Sequence, residues 1–131
     1  MITEDFVSFE VAKLLKEKGF DEKCSQWYVA NEPQEGLVVG GFGENQFYIN
    51  APTLQMAMKW LREKGFHINA SISYDYSEDA DGNIVDKWTF WLFEIFSSFG
   101  GDIIYTEEVN EYDSYEEAVE AALRYSLENL L

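Results

Sequence analysis

Residues 66–76 alternate between apolar and polar side chains over eleven positions without a break, and this pattern constrains the fold more than any other. One face carries Phe66, Ile68, Ala70, Ile72, Tyr74 and Tyr76, and the other carries His67, Asn69, Ser71, Ser73 and Asp75. A period of two is typical of a β-strand with one face covered. A turn at 81–83 leads into 87–96, which is apolar on both faces. This second strand is predicted to be covered on both sides or to lie at a subunit contact.

Three helices are predicted from start and stop signals. Ser8 caps a helix at about 9–18, which Gly19 ends. A second helix follows Thr53 and stops at Gly65. A third begins at Ser114, where the residues Ser-Tyr-Glu-Glu fit a capping box.

Shorter strands are predicted at 26–30, 37–41, 46–50 and 102–107. The resulting order, α-β-β-β-α-β-β-β-α, predicts one α+β domain over 1–131: a mostly antiparallel sheet with about three helices packed on one face. Four Trp, eight Tyr and ten Phe favour a packed core, although the net charge is −16.

The charge is concentrated in the second half of the chain. Residues 67–131 carry fifteen acids but only two bases, Lys87 and Arg124. Such a surface repels phosphate backbones and anionic lipid, so neither direct nucleic-acid binding nor membrane binding is predicted. It attracts cations or a basic protein partner.

Seven carboxylates fall within fourteen residues near the third helix. They can be interpreted as a cation site, an acid/base pair or an imitation of nucleic-acid phosphates, or simply as a solvated face with helix N-terminal charge. Together with aromatic residues of the two-sided strand, they are the predicted interaction residues: Trp88, Trp91, Phe93, Glu107, Glu108, Glu111, Asp113, Glu116, Glu117 and Glu120.

Cys24 and His67 are the one conventional nucleophile–base combination, and a catalytic dyad remains an alternative to structural roles for both. A single cysteine excludes an internal disulfide and fits a reducing compartment, so a cytoplasmic location is predicted. No apolar run exceeds four residues and no secretory signal is recognisable.

Two loop motifs imitate ligand sites. Residues 77–84 resemble half of an EF-hand, but Trp88 replaces the bidentate glutamate, and the pattern favours a hairpin turn. The glycine-rich segment 36–43 lacks both phosphate-binding patterns and is predicted to form a bulged hairpin or mobile loop. No metal, cofactor or catalytic residue is predicted.

Three segments resemble a group of short, uncharacterised proteins of gut-bacterial genomes and prophages. They are 10–24 (EVAKLLKEKGFDEKC), 49–64 (INAPTLQMAMKWLREK) and 114–123 (SYEEAVEAAL). The resemblance implies an accessory protein of a prophage or mobile element in the cytoplasm, and it carries over no activity or functional residue.

The function predicted from the sequence is therefore a non-enzymatic protein-interaction module. It is expected to form a homodimer and to bind another protein through its acidic face or its aromatic strand. Two alternatives stay open. One is an inhibitor that imitates nucleic acid and occupies a DNA-binding protein, and the other is a small enzyme using Cys24 with His67 or paired carboxylates.

Overall fold

A computed structural model describes residues 1–30, 36–39 and 48–131. Its elements follow the predicted order, and their bounds are: α1 Phe9–Glu17, β1 Gln26–Val29, β2 Val38–Val39, β3 Tyr48–Asn50, α2 Leu54–Glu63, β4 Phe66–Glu78, β5 Ile84–Ser97, β6 Ile103–Thr106 and α3 Tyr115–Asn129. The α+β class with antiparallel pairing is confirmed.

The strands divide into two three-stranded antiparallel sheets, a division that the sequence pattern did not indicate. The smaller sheet has the order β2-β1-β3, and the larger has the order β4-β5-β6. Within the larger sheet, β4 and β5 form a long hairpin in which Ile68 lies opposite Ile95 and Ala70 lies opposite Phe93. The two-sided apolar strand β5 is therefore the central strand of its sheet.

The helix ends form where the local sequence satisfies free backbone groups. The side chains of Ser8, Thr53 and Ser114 accept hydrogen bonds from the backbone N–H three residues later. At the end of α1, Gly19 adopts a φ of 99°. The N–H of Phe20 then donates to the Leu15 carbonyl at 2.9 Å, which completes a Schellman turn.

The core lies between the larger sheet and the helices. Both α2 and α3 contact β4, and α3 also contacts β5 and α1. Ile68, Phe93 and Ile95 point toward these helices and are at most 2% exposed. In the part of the chain that the structure describes, no helix is both long and apolar enough to cross a membrane.

The far end of the β4–β5 hairpin extends beyond the helices, and we call its residues 71–90 the hairpin arm. Its helix-side row remains largely in solvent: Ile72 and Tyr74 are each 58% exposed and Tyr76 is 44% exposed. Ile84 and Val85, near the tip, are exposed as well. Within the described residues, the hairpin arm is therefore largely uncovered.

Candidate protein-interaction surfaces

An acidic groove of about 800 Å³ runs between α3, the 107–113 loop and the segment that precedes α1. Apolar and aromatic side chains, including Leu54, Tyr112 and Tyr125, line its floor. The carboxylates that line it are Asp5, Glu107, Glu111, Asp113, Glu116, Glu117, Glu120 and Glu128. The fold therefore gathers six of the seven clustered acids along one groove. Glu108 is also exposed but does not line it.

Glu107 is a structural residue of the groove wall and is only 7% exposed. Its Oε1 accepts hydrogen bonds from the backbone N–H groups of Val109 at 2.9 Å and Asn110 at 3.2 Å. Its Oε2 accepts from the Tyr105 hydroxyl at 3.3 Å. Burial alone would raise the pKa of Glu107, but these hydrogen bonds outweigh burial and hold the pKa below its ordinary value. The carboxylate organises the loop that follows β6.

Glu117 and Glu120 also serve helix ends. The Glu117 carboxylate accepts from the Asp113 N–H at 3.0 Å, just before the start of α3. The Glu120 carboxylate accepts from the Ser8 N–H at 2.9 Å. Because Ser8 is the N-cap of α1, Glu120 performs the capping-box role from a different helix. Predicting these two as interaction residues was incomplete, since each carboxylate holds part of the fold together.

The remaining carboxylates of the groove are Asp5, Glu111, Asp113, Glu116 and Glu128, and all are exposed. The one base among the described lining residues is Arg124, whose guanidinium pairs with Glu10 of α1. Both members of that pair are exposed, so it contributes little to stability. The groove therefore presents strong negative potential above an apolar floor.

Phe93, which was predicted to be an interaction residue, is buried in the structure. Its side chain is 1% exposed, and its ring lies 5.8 Å from that of Tyr105 and 6.0 Å from that of Tyr112. It is a core residue that offers a partner almost no surface, although it is among the residues that line the groove. Trp91 shares the helix side of β5 with Phe93, is half-buried, and meets Tyr115 edge to face at 5.6 Å.

Trp88 lies on the opposite side of β5, which we call the outer face. Residue alternation places Phe90, Leu92 and Phe96 on the same side. Trp88 is 40% exposed, and Ile103, opposite Phe96 on β6, is 61% exposed. The helix that contacts β5, α3, lies on its other side, so this apolar row faces away from the core.

The environment of Cys24 does not favour the thiol-enzyme alternative. The side chain is buried, and its Sγ donates to the Glu22 carbonyl at 3.5 Å. Burial, followed by the nearby Glu22 charge, raises the pKa of the thiol to about 11. A nucleophilic cysteine requires the opposite shift. His67 lies on the exposed face of β4, in a shallow cavity with Arg62 and Phe96.

The EF-hand-like segment forms the predicted hairpin turn. Asp79 Oδ1 accepts from the N–H groups of Asp81 and Asn83, each at 2.9 Å, and Gly82 has a φ of 82°. The hydrogen bond from Asn83 is the main cause that lowers the pKa of Asp79. Residues 40–43 of the glycine-rich segment lie outside the described residues, so its predicted bulged hairpin stays a prediction.

Three charged groove residues were missed by the sequence analysis, namely Asp5, Arg124 and Glu128. Helical spacing could have found the last two, because Glu117, Glu120, Arg124 and Glu128 recur at intervals of three and four residues. Asp5 had no comparable signal, since only the fold brings the first segment to α3. Within the described ranges, no group of three or more Asp, Glu, His or Cys side chains could hold a metal ion.

Screening of the groove carboxylates should stabilise the protein. Glu116 and Glu120 lie one helical turn apart, and their repulsion costs a few tenths of a kcal/mol at low salt. The Debye length falls from about 30 Å at 0.01 M to about 8 Å at 0.15 M salt. We therefore expect the melting temperature to rise with NaCl, by roughly 4 °C for each kcal/mol of repulsion screened.

Thermal unfolding in matched NaCl and KCl series measures this effect. The variant Glu116→Gln should show a smaller rise, because one partner of the repulsive pair is neutral. A melting temperature that is unchanged or lower as salt increases would contradict the prediction.

Comparisons with known proteins identify no relative of this chain. No protein-family model, no curated protein and no solved structure matches this chain. The geometry of the two surfaces is therefore the basis for a functional proposal.

Proposed function

We propose that this protein is a non-enzymatic interaction module that binds a basic segment of another protein in its acidic groove. The observation that carries this proposal is the combination of exposed carboxylates with an apolar floor in one groove. A Lys or Arg side chain matches such a surface, because its aliphatic stem packs on apolar groups while its charged end meets carboxylates. Tyr112 and Tyr125 offer aromatic surfaces to the same cations.

Five exposed acids supply the attraction in this proposal. Glu107, Glu117 and Glu120 already accept hydrogen bonds within the fold, so their loss would mix binding with stability. Glu111 and Glu116 are exposed members of the lining. They are the better positions at which to test binding alone.

The test uses a fluorescent peptide of alternating Arg and Leu, with a Glu–Leu peptide as its charge-reversed control. Binding is measured by fluorescence anisotropy. We expect Glu111→Gln/Glu116→Gln to weaken binding of the basic peptide roughly tenfold, since two carboxylate contacts are lost. The control Glu17→Gln/Glu63→Gln, on α1 and α2, also changes the net charge from −16 to −14 and should bind almost normally.

Equal weakening by both double variants would refute the groove as the binding site, because only the net charge would then matter. The physiological partner is sought by affinity purification from the native host with mass spectrometry, using the same two variants as baits. A partner retained by the control and lost by the groove variant fits the proposal. The resemblance noted above would place such a module among cytoplasmic accessory proteins of gut-bacterial prophages.

Imitation of nucleic acid is the second candidate function. It requires acids that lie along one surface, and six of the seven clustered acids line the same groove. In that case the partner is a DNA-binding protein whose phosphate-binding surface the groove occupies. Competition separates the two candidates. Duplex DNA should displace this protein from its captured partner far better than polyglutamate of equal total charge if it is a mimic, whereas the two polyanions should compete equally if the partner merely offers a basic segment.

A further inference from the structure

We propose that two copies of this chain associate by antiparallel pairing of their β4 strands, in a register centred on Ser71. The result would be a continuous six-stranded sheet across a two-fold axis. This proposal does not depend on the acidic groove, which lies on α3 and the 107–113 loop rather than on β4.

The first argument is the free edge of β4. In the larger sheet β4 pairs only with β5, so within the described ranges its other edge has no strand beside it. Natural edge strands are usually short or carry Lys, Pro or bulges that prevent pairing with another chain. β4 has thirteen residues and no Lys or Pro; before the shift at Ser77 and Glu78 its one acid is Asp75, whose carboxylate accepts the Tyr76 N–H at 2.8 Å and would release it on pairing. Such an edge is a template for another strand.

The second argument is charge complementarity, which selects a second copy as the occupant. In a two-fold pair centred on Ser71, residue i lies opposite residue 142 − i of the other copy. Asp75 then lies opposite His67, which donates a ring N–H in either protonation state. Centres at residue 70 or 72 place Asp75 opposite Gly65 or Asn69 and lose the pairing with His67.

The third argument is the apolar row of the hairpin arm. Directly opposed residues share a sheet face, so Ile72 would meet Ala70, Tyr74 would meet Ile68, and Tyr76 would meet Phe66. In each copy Ile68 and Ala70 lie on the side of β4 that the helices cover. The exposed arm of one copy would therefore lie beside the helix-covered end of the other. This arrangement explains why Ile72, Tyr74 and Tyr76 are apolar although they extend past their own core.

Sedimentation velocity of the full chain over a concentration series tests association. We expect a monomer–dimer equilibrium whose dissociation constant rises roughly tenfold or more in Ser71→Lys. The lysine blocks the strand edge, and it lies directly opposite the same lysine of the other copy. Thr106→Lys places the same charge on β6, at the opposite edge of the same sheet, and should leave the equilibrium unchanged. A monomer at all concentrations, or equal weakening by both variants, would overturn the proposal.

Cross-linking tests the register. Ser71→Cys should give a disulfide-linked dimer on mild oxidation with diamide, because the two positions face each other across the axis. Ser73→Cys should not, because the two copies of residue 73 would be about 14 Å apart along the strands. The unsubstituted chain is the control, since Cys24 is buried. Efficient linkage at residue 73 with none at residue 71 would overturn this register.

The two proposals fail separately. Ser71→Lys should bind the Arg–Leu peptide normally, and Glu111→Gln/Glu116→Gln should still dimerise. An unsubstituted chain that dimerises but does not bind the Arg–Leu peptide would count against the groove alone, and one that binds the peptide but stays monomeric would count against the strand pairing alone.

Discussion

Replacing Phe93 with alanine should cost about 3–5 kcal/mol of unfolding free energy. Its ring is 1% exposed and packs against Tyr105 and Tyr112, so its removal loses apolar burial and leaves a cavity. Domains of this size have a total stability of about 5–15 kcal/mol, so the loss is a large share of the total. Urea unfolding followed by tryptophan fluorescence measures it.

Phe90→Ala is the matched control for this change. Phe90 lies on the same strand three residues earlier, but on the outer face, and it is half-buried. We expect its substitution to cost about 1 kcal/mol, because less apolar surface is lost. Similar costs for the two substitutions would contradict the assignment of β5 faces.

Replacing Glu107 with alanine should cost about 2 kcal/mol at neutral pH, because the N–H groups of Val109 and Asn110 lose a charged acceptor. Glu108→Ala is the control, since Glu108 is the neighbouring acid and its side chain is exposed. We expect that substitution to change stability by less than about 0.5 kcal/mol. Chemical unfolding of both variants gives the comparison.

The same carboxylate predicts a pH dependence. Its pKa in the folded protein lies below the value of 4.5 that it has without such contacts. The unfolded chain therefore binds the proton more readily, so the stabilisation is complete above that value and is lost as pH falls through the folded pKa. Unfolding curves between neutral and acidic pH should converge for the parent and Glu107→Ala. A constant difference between them at all pH values would show that the charge is not responsible.

The order and class of the secondary structure could be predicted because the signals for them are local. Alternation identified β4, and Ser8, Gly19 and Ser114 marked helix ends through hydrogen bonds to residues three to five positions away. The interaction residues were harder to identify. Phe93 and Trp88 are both aromatic residues of β5, and only the packing of helices on one side distinguishes core from surface.

The groove depended still more on tertiary structure. A run of acids in the sequence cannot reveal which carboxylates face solvent and which accept backbone hydrogen bonds. Glu107 and Glu108 are adjacent and chemically identical, yet one is buried in a loop and the other is exposed. The Glu107 N–H donates to the Phe93 carbonyl at 3.1 Å, and the Glu107 carboxylate accepts from the N–H groups of Val109 and Asn110.

The hydrogen bond from Ser8 to Glu120 joins residues 112 positions apart. During synthesis, the first helix leaves the ribosome long before the segment that completes its N-terminal cap has been made. Its isolated nine residues are too few to remain helical in water. Final consolidation of the domain must therefore wait until α3 has emerged, and a nascent chain stalled before that point would present its unfinished core to chaperones and proteases.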